Sequence, residues 1–445
     1  MTARPHDRRL PSPGAIVLAL AVPLLFLHTH FLPGATVRGA HANLADLAAV
    51  AVAIAGLWTG FAEGFGPLRA GRWVWAATAA LFVLIAVSIA YADATDSAYL
   101  LGKHSVTALK LLEYALMAPA VVLIVRRRRD LELLFASVTV WAVAALGYGL
   151  LQFFGAIDDF SVGHKRAGGR EPSFLGPHDF AALSSMALAL ALAAVALGPV
   201  SRRERRWVIA AGAVGATGLV LSGAIAGVLG LGLAALAAGL VALRRSRLSL
   251  GRVAGLAGIV AAVLLGTLVM RSSDVSQFLK FLGIRPGASQ ASLGGSSYSQ
   301  RTVLAYFGVQ IFAHHPVFGV GWQESAYEDA YRPYLAAARR RFPDVAPLAF
   351  PSPQHRWGVQ NLYLQAAADM GVIGLAALLA LLGSGLVAGL GWALRAPPSG
   401  AALALVPVLW LLMAIGIWNG LGLVAGIPLS AMTWLSLGLV AVRLD

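Results

Sequence analysis

Arginine and histidine, the side chains that hold anions and move protons near neutral pH, gather in one stretch of this chain. Between Arg271 and Gln360 stand Arg301, the run His314-His315-Pro316, Glu324, Tyr327, Arg332, the block Arg339-Arg340-Arg341 and His355. A shorter stretch, Gly155 to His178, adds Lys165, Arg166, Arg170, Glu171 and His178. A guanidinium keeps its charge at any physiological pH and presents a fork of donors that matches phosphate oxygens. Histidine alone titrates unperturbed near neutrality, which makes His355 a candidate general base. Together these residue types support capture of an anionic group with a proton acceptor beside it. Blander readings stand next to that one. The Gly155 to His178 arginines can meet lipid head groups, His355 can be merely solvated, and three adjacent like charges at Arg339 to Arg341 fit a solvated or lipid-facing surface.

What must position these residues is a membrane bundle. The chain is 58% hydrophobic and 12% charged, against roughly 25% charged in an average soluble domain. That excludes an ordinary soluble enzyme. Apolar runs of about eighteen residues or more recur, each long enough to cross a hydrocarbon core of about 30 Å as a helix, and they lack the alternation of a barrel. The expected fold is an all-α polytopic membrane protein of about twelve transmembrane helices: a bundle of about nine over residues 1–270, a large outer loop with interfacial helices over 271–360, and about three more over 361–445. Cysteine is absent, so disulfides and thiolate metal sites are excluded.

The net charge of +14 raises the question of nucleic acid. Its distribution answers it, because most Arg and Lys fall in short connections between apolar runs. Glu63 to Arg72, Arg126 to Asp130, Ser201 to Arg206 and Arg244 to Arg252 each hold two to four arginines, and all four fall on one side. The positive-inside rule then puts both termini in the cytoplasm and the large loop outside. No fixed-period repeat or inverted symmetry is visible, which argues against a carrier.

Three further patterns bear on the chemistry. Val303, Leu304, Phe307, Ile311 and Phe312 recur at helical spacing after Arg301, predicting an amphipathic helix that Pro316 ends and Gly319 and Gly321 turn. From Pro351 to Leu375, polar residues including Gln360, Asn361, Gln365 and Asp369 stand at the mouth of a span ahead of Gly371 and Gly374, which predicts an outward polar pocket above closely packed helices. Lys110 and Glu113 share a helical face inside a span, where charge is costly, and can pair or serve a substrate.

These regions resemble the O-antigen ligase and polymerase superfamily, membrane glycosyltransferases that use polyprenyl-linked glycans. The resemblance runs from about Gly155 to Leu375. It is carried by Arg301 with the His-Pro-x-x-Gly-x-Gly run His315 to Gly321, by Asn361-Leu362-Tyr363-Leu364-Gln365 leading to Gly371-Val372-Ile373-Gly374, and by Arg170 followed by Ser173 to His178. Two positions depart from it. Gln360 stands where the family has a histidine before the asparagine, and Ile225 follows Ser222-Gly223-Ala224 where an arginine is expected.

The resemblance implies an enzyme of the bacterial inner membrane that moves a glycan from an undecaprenyl-diphosphate-type carrier to a hydroxyl of a glycan, lipid or protein. The donor carries its own leaving group, so no nucleotide, metal or other cofactor is implied. His355, Gln360, Asn361 and Arg301 are the implied catalytic set. With the residues singled out above, Arg166, Arg170, Arg301, His315, Glu324 and Lys110 are the candidate substrate-binding set. Two alternatives remain, a carrier or flippase for lipid-linked glycans and a non-catalytic relative that binds them.

Overall fold

The computed structural model describes residues 10–27, 35–37, 40–157, 170–171, 173–198, 202–273, 276, 297–398, 400–422 and 427–444. In chain order the helices are α1 Pro13–Leu25, α2 Leu44–Glu63, α3 Arg72–Thr95, α4 Leu101–Ala115, α5 Met117–Ile124, α6 Arg128–Phe153, α7 Pro177–Leu197, α8 Arg202–Ser222, α9 Ile225–Arg244, α10 Leu250–Met270, α11 Ser297–His314, α12 Glu328–Arg341, α13 Leu362–Arg395, α14 Ala401–Ile417 and α15 Ile427–Leu439. Among the described residues, nine helical stretches are long and apolar enough to cross a membrane. The other three expected spans coincide with α1 and α15, of 13 residues each, and with α8, which opens on Arg202-Arg203-Glu204-Arg205-Arg206. One departure from an all-helical chain was not expected. Ala35–Val37 and Ala40–Ala42 pair as a small antiparallel hairpin, Thr36 facing His41, where the chain doubles back between α1 and α2.

Local chemistry explains where the helices begin and break. Ser12, Asn43, Ser249 and Asn361 cap α1, α2, α10 and α13, each accepting a backbone N–H of the first turn that the helix leaves unmet. Pro119, which lacks an N–H and whose ring crowds the preceding turn, stands just past the interruption between α4 and α5. At the centre lies α7, most of whose apolar window is buried, packed on α8, α9 and α14. Trp410 of α14 donates its indole N–H to the Met186 carbonyl of α7 at 2.8 Å, so even the polar atom of the core tryptophan is satisfied.

The bundle has two chemically different ends. At one, Arg126 donates to the carbonyls of Glu63 and Gly64, Arg128 meets Glu132 and Glu204 at 2.7 Å, and Arg245 caps the end of α13 through the carbonyls of Ala393, Leu394 and Ala396. The start of α7, the end of α8, the starts of α9 and α13 and the ends of α10 and α14 lie at the other, where α11 and α12 form a separate small layer.

That layer is aromatic inside. Phe307 meets Tyr331 edge-on at 6.1 Å and Tyr306 meets Phe342 at 5.7 Å, around buried Val303, Ala338, Val345 and Phe350. Val303, Leu304, Phe307 and Ile311 form the buried face of α11, as the spacing predicts.

The layer is tied to the bundle by backbone. Inside α13, Gly371 adopts φ 66°, ψ −165°, which interrupts the helical ladder. The carbonyls of Ala368 and Asp369 accept instead from Val320 and Gly321 at 3.0 and 2.9 Å, and Val372 donates to the Pro316 carbonyl at 2.8 Å. The turn after α11 therefore supplies the rungs that the kinked helix lacks. Only glycine fits either side: a Cβ on Gly371 would lie 2.1 Å from the Val317 oxygen, and one on Gly319 (φ +68°) 2.3 Å from the Asp369 carbonyl carbon. Close packing was expected of Gly371 and Gly374; Gly371 instead breaks the helix.

Candidate functional site

Arg301 lies near the start of α11, with His178 in the first turn of α7 and Gln360 just ahead of α13 on either side of it. Arg301 Nε donates to Gln360 Oε1 at 3.3 Å, and its Nη2 lies 2.8 Å from His178 Nε2. One guanidinium thus spans two helix starts that are far apart in sequence. Arg170 and Arg271 complete the cluster. All three guanidiniums act electrostatically on the His178 ring. Arg271, only 2% exposed, donates to the Gly223 carbonyl at 3.0 Å. A Cβ on Gly223 would lie 2.8 Å from Arg170 Cγ and 3.0 Å from Arg271 Cδ, so the two side chains flank that turn.

Each member is fixed by the chain around it. The segment carrying Arg170 is pinned where Glu171 N–H donates to the Leu221 carbonyl at 2.9 Å and the Ser173 hydroxyl donates to the Ala145 carbonyl at 2.7 Å. Pro177 opens α7, its fixed φ suiting a first helical position. Asn361 spends its oxygen on the Leu364 N–H, capping α13, and donates its amide to Asn419 Oδ1 at 3.2 Å. Gln365, one turn into α13, donates to Asp369 at 3.0 Å, and the other oxygen of Asp369 accepts from Ser325 N–H at 3.1 Å. The rim of the site is thereby linked to the α11–α12 layer.

Of the residues expected from the sequence, Arg301, Gln360, Asn361 and Arg170 are assembled here; Arg166 lies outside the described residues. His355 is exposed on the turn Ser352 to His355, its ring stacked on Trp357 at 5.8 Å, and none of these contacts belongs to the arginine cluster. His315 is also exposed and serves the turn through its backbone, donating to the Ile311 carbonyl and accepting from Gly319.

Glu324 is buried. Its carboxylate lies 3.4 Å from Nε2 of His104, which is stacked on Tyr99 with centroids 4.5 Å apart. Burial first, and then the Glu324 carboxylate, push the Tyr99 hydroxyl up from its ordinary value. It stays protonated and donates to the Trp322 carbonyl at 3.0 Å. Lys110 Nζ sits 2.9 Å from Asp46 on α2, an ion pair between helices. Each of these two contacts, Glu324 with His104 and Lys110 with Asp46, joins separate parts of the fold.

Sequence reasoning missed two members of the cluster as site residues, His178 and Arg271. His178 was visible at the end of the Arg170 pattern, but nothing in one dimension joins it to Arg301, 123 residues away. Arg271 opens the large loop with no motif around it. Among the described residues, no group of three or more His, Asp or Glu could hold a metal ion.

The arrangement can hold a multiply charged anion between guanidiniums at one end of the bundle, with an imidazole and two amides beside it. Residues 210–379 match the family model described as O-antigen ligase, in support of the resemblance read from the motifs. The match takes in Gly223, Arg271, Arg301, Gln360 and Asn361; Arg170, His178 and Asn419 lie beyond it. No curated protein aligns with the chain.

Proposed function

We propose that this protein transfers a glycan from a polyprenyl-diphosphate carrier to an acceptor hydroxyl at the outer face of the bacterial inner membrane, as a ligase or a polymerase. In this reading twelve helices cross the membrane, both termini are cytoplasmic, and the arginine-rich connections face the cytoplasm. The observation that carries the proposal is Arg301 bridging His178 and Gln360 with Arg170 and Arg271 alongside.

The reaction is one displacement. The acceptor oxygen bonds to the anomeric carbon, the bond from that carbon to the diphosphate breaks with its electron pair leaving on the diphosphate, and the configuration inverts. Fixed guanidiniums aimed at the diphosphate stabilise the charge that develops there, and a preorganised donor of this kind typically contributes about 10²–10³ in rate. Gln360, Asn361 and Asn419 supply donors and acceptors that can orient the incoming hydroxyl.

The proposal is tested by giving the purified protein in detergent a glycan on undecaprenyl diphosphate and a panel of acceptors, without nucleotide or metal. Product with one acceptor supports it and names the acceptor class. Donor retained unchanged on the protein would favour a binding relative. Donor moved across a vesicle membrane unchanged would favour a carrier.

A further inference from the structure

His178 has one ring nitrogen in use and one idle. Its Nε2 lies 2.8 Å from Arg301 Nη2. A guanidinium only donates, so Nε2 accepts and the proton of the neutral ring sits on Nδ1. Nδ1 is buried without a hydrogen-bond partner among the described residues. An unmet buried polar group costs on the order of 1–3 kcal/mol, so this nitrogen gains from a partner brought into the site. The other end of the Arg301 bridge is Gln360, at 3.3 Å. Glutamine can orient a hydroxyl and cannot take its proton at neutral pH; imidazole can do both. The ring is also built in tightly, since a Cβ on Gly420 would lie 3.1 Å from His178 Cε1 and 3.5 Å from Arg301 Nη1.

We infer that His178 takes the proton of the acceptor hydroxyl, standing in from α7 for the motif histidine that Gln360 replaces; this rests on the transferase reading above. In the geometry described Arg301 occupies the lone pair of Nε2. The anionic oxygens of an arriving diphosphate are stronger acceptors for a guanidinium than a neutral imidazole is. Arg301 turns to them and Nε2 is freed. The acceptor hydroxyl, oriented by Gln360, gives its proton to Nε2 as its oxygen bonds to the anomeric carbon and the diphosphate leaves with the electron pair of the broken bond. The imidazolium then returns its extra proton to solvent. Donor binding therefore unmasks the base, and without donor the base is occupied.

The test compares wild type, His178→Ala, Gln360→His, His355→Ala and the double variant His178→Ala with Gln360→His, all full length in detergent with an undecaprenyl-diphosphate glycan. Transfer rate and donor binding are read for each. His178→Ala should lose about a hundredfold in kcat and keep its donor affinity. The double variant should recover about tenfold or more of that loss, since an imidazole at 360 reaches the same guanidinium from the other side. Such a rescue is not expected of a mere prop. Wild-type transfer with His178→Ala unaffected, loss of donor binding together with rate and no rescue, or loss in His355→Ala with His178→Ala active would each overturn the inference and leave the transferase reading standing. Donor bound by wild type with no transfer to any acceptor would overturn both.

Discussion

Arg271, the residue after α10, donates to the carbonyl of Gly223 in the turn between α8 and α9 at 3.0 Å. That turn is the place where the family resemblance calls for an arginine and the sequence has Ile225. A guanidinium reaches the turn regardless, carried in from another helix. Arg271→Met keeps the volume of this buried side chain and removes the charge and the donors. It should weaken binding of a polyprenyl-diphosphate donor and lower transfer about a hundredfold, with Arg271→Lys falling between. Donor titration and initial rates measure both, and an Arg271→Met protein with wild-type donor affinity would remove Arg271 from the anion site.

Arg301 makes a sharper demand, because it contacts Gln360 through Nε and His178 through Nη2 at the same time. A lysine carries the charge on a single nitrogen and cannot reproduce a planar two-sided bridge. Arg301→Ala should cost about 10²–10³ in transfer. Arg301→Lys should recover only part of it, while the protein remains folded and monodisperse in detergent. Arg170→Ala should follow Arg301→Ala. Full activity in both alanine variants would end the idea of a diphosphate clamp.

The two halves of the site differed in how legible they were. Long apolar runs announce helices because a backbone in lipid has few other ways to satisfy itself, and the amphipathic spacing of Val303, Phe307 and Ile311 announced α11. Arg301 and Gln360-Asn361 stood out because each sits in a local pattern. His178 and Arg271 did not, since their meaning comes from helix ends that meet only after the bundle closes. Gly371 was misjudged for a related reason. A glycine in an apolar run reads as a small residue for helix packing, and nothing in the run itself says that a turn from fifty residues upstream will take over the hydrogen bonds of the helix. Lys110 illustrates the same limit: its charge does act on its sequence neighbour Glu113, while Asp46 of α2, which no local pattern joins to it, lies at 2.9 Å.

Glu324, expected to touch substrate, is buried at 4% exposure against His104 at 1%. Its removal should therefore act on the docking of the α11–α12 layer. With Glu324→Ala, His104 loses the carboxylate 3.4 Å from its Nε2 in a dry site, and the packing of the Tyr99 and Trp322 segment around it loosens. Amide exchange over Trp322 to Tyr331 should speed up, and the unfolding temperature should fall. Glu324→Gln, which keeps shape and hydrogen-bonding atoms, should lose less. A raised KM for donor with unchanged exchange would return Glu324 to the substrate.

Gly371 ties the α11–α12 layer to the bundle and should be the least replaceable residue of α13. At φ 66° and ψ −165° it occupies a region essentially closed to other residues, at a cost on the order of 1–3 kcal/mol for a side chain there. Alanine would also drive its Cβ to within 2.1 Å of the Val317 oxygen. The turn must then lift away, and the N–H groups of Val320 and Gly321 lose the carbonyls of Ala368 and Asp369. Gly371→Ala should lower the unfolding temperature by several degrees and expose those two amides to exchange. Gly383, in the same helix with nothing within 4 Å of an added Cβ, is the control; alanine there should hold or raise stability, because helical glycine gives up more backbone entropy. Equal exchange at Val320 and Gly321 in the two variants would mean that the turn docks through its side chains, and that the kink in α13 is incidental to it.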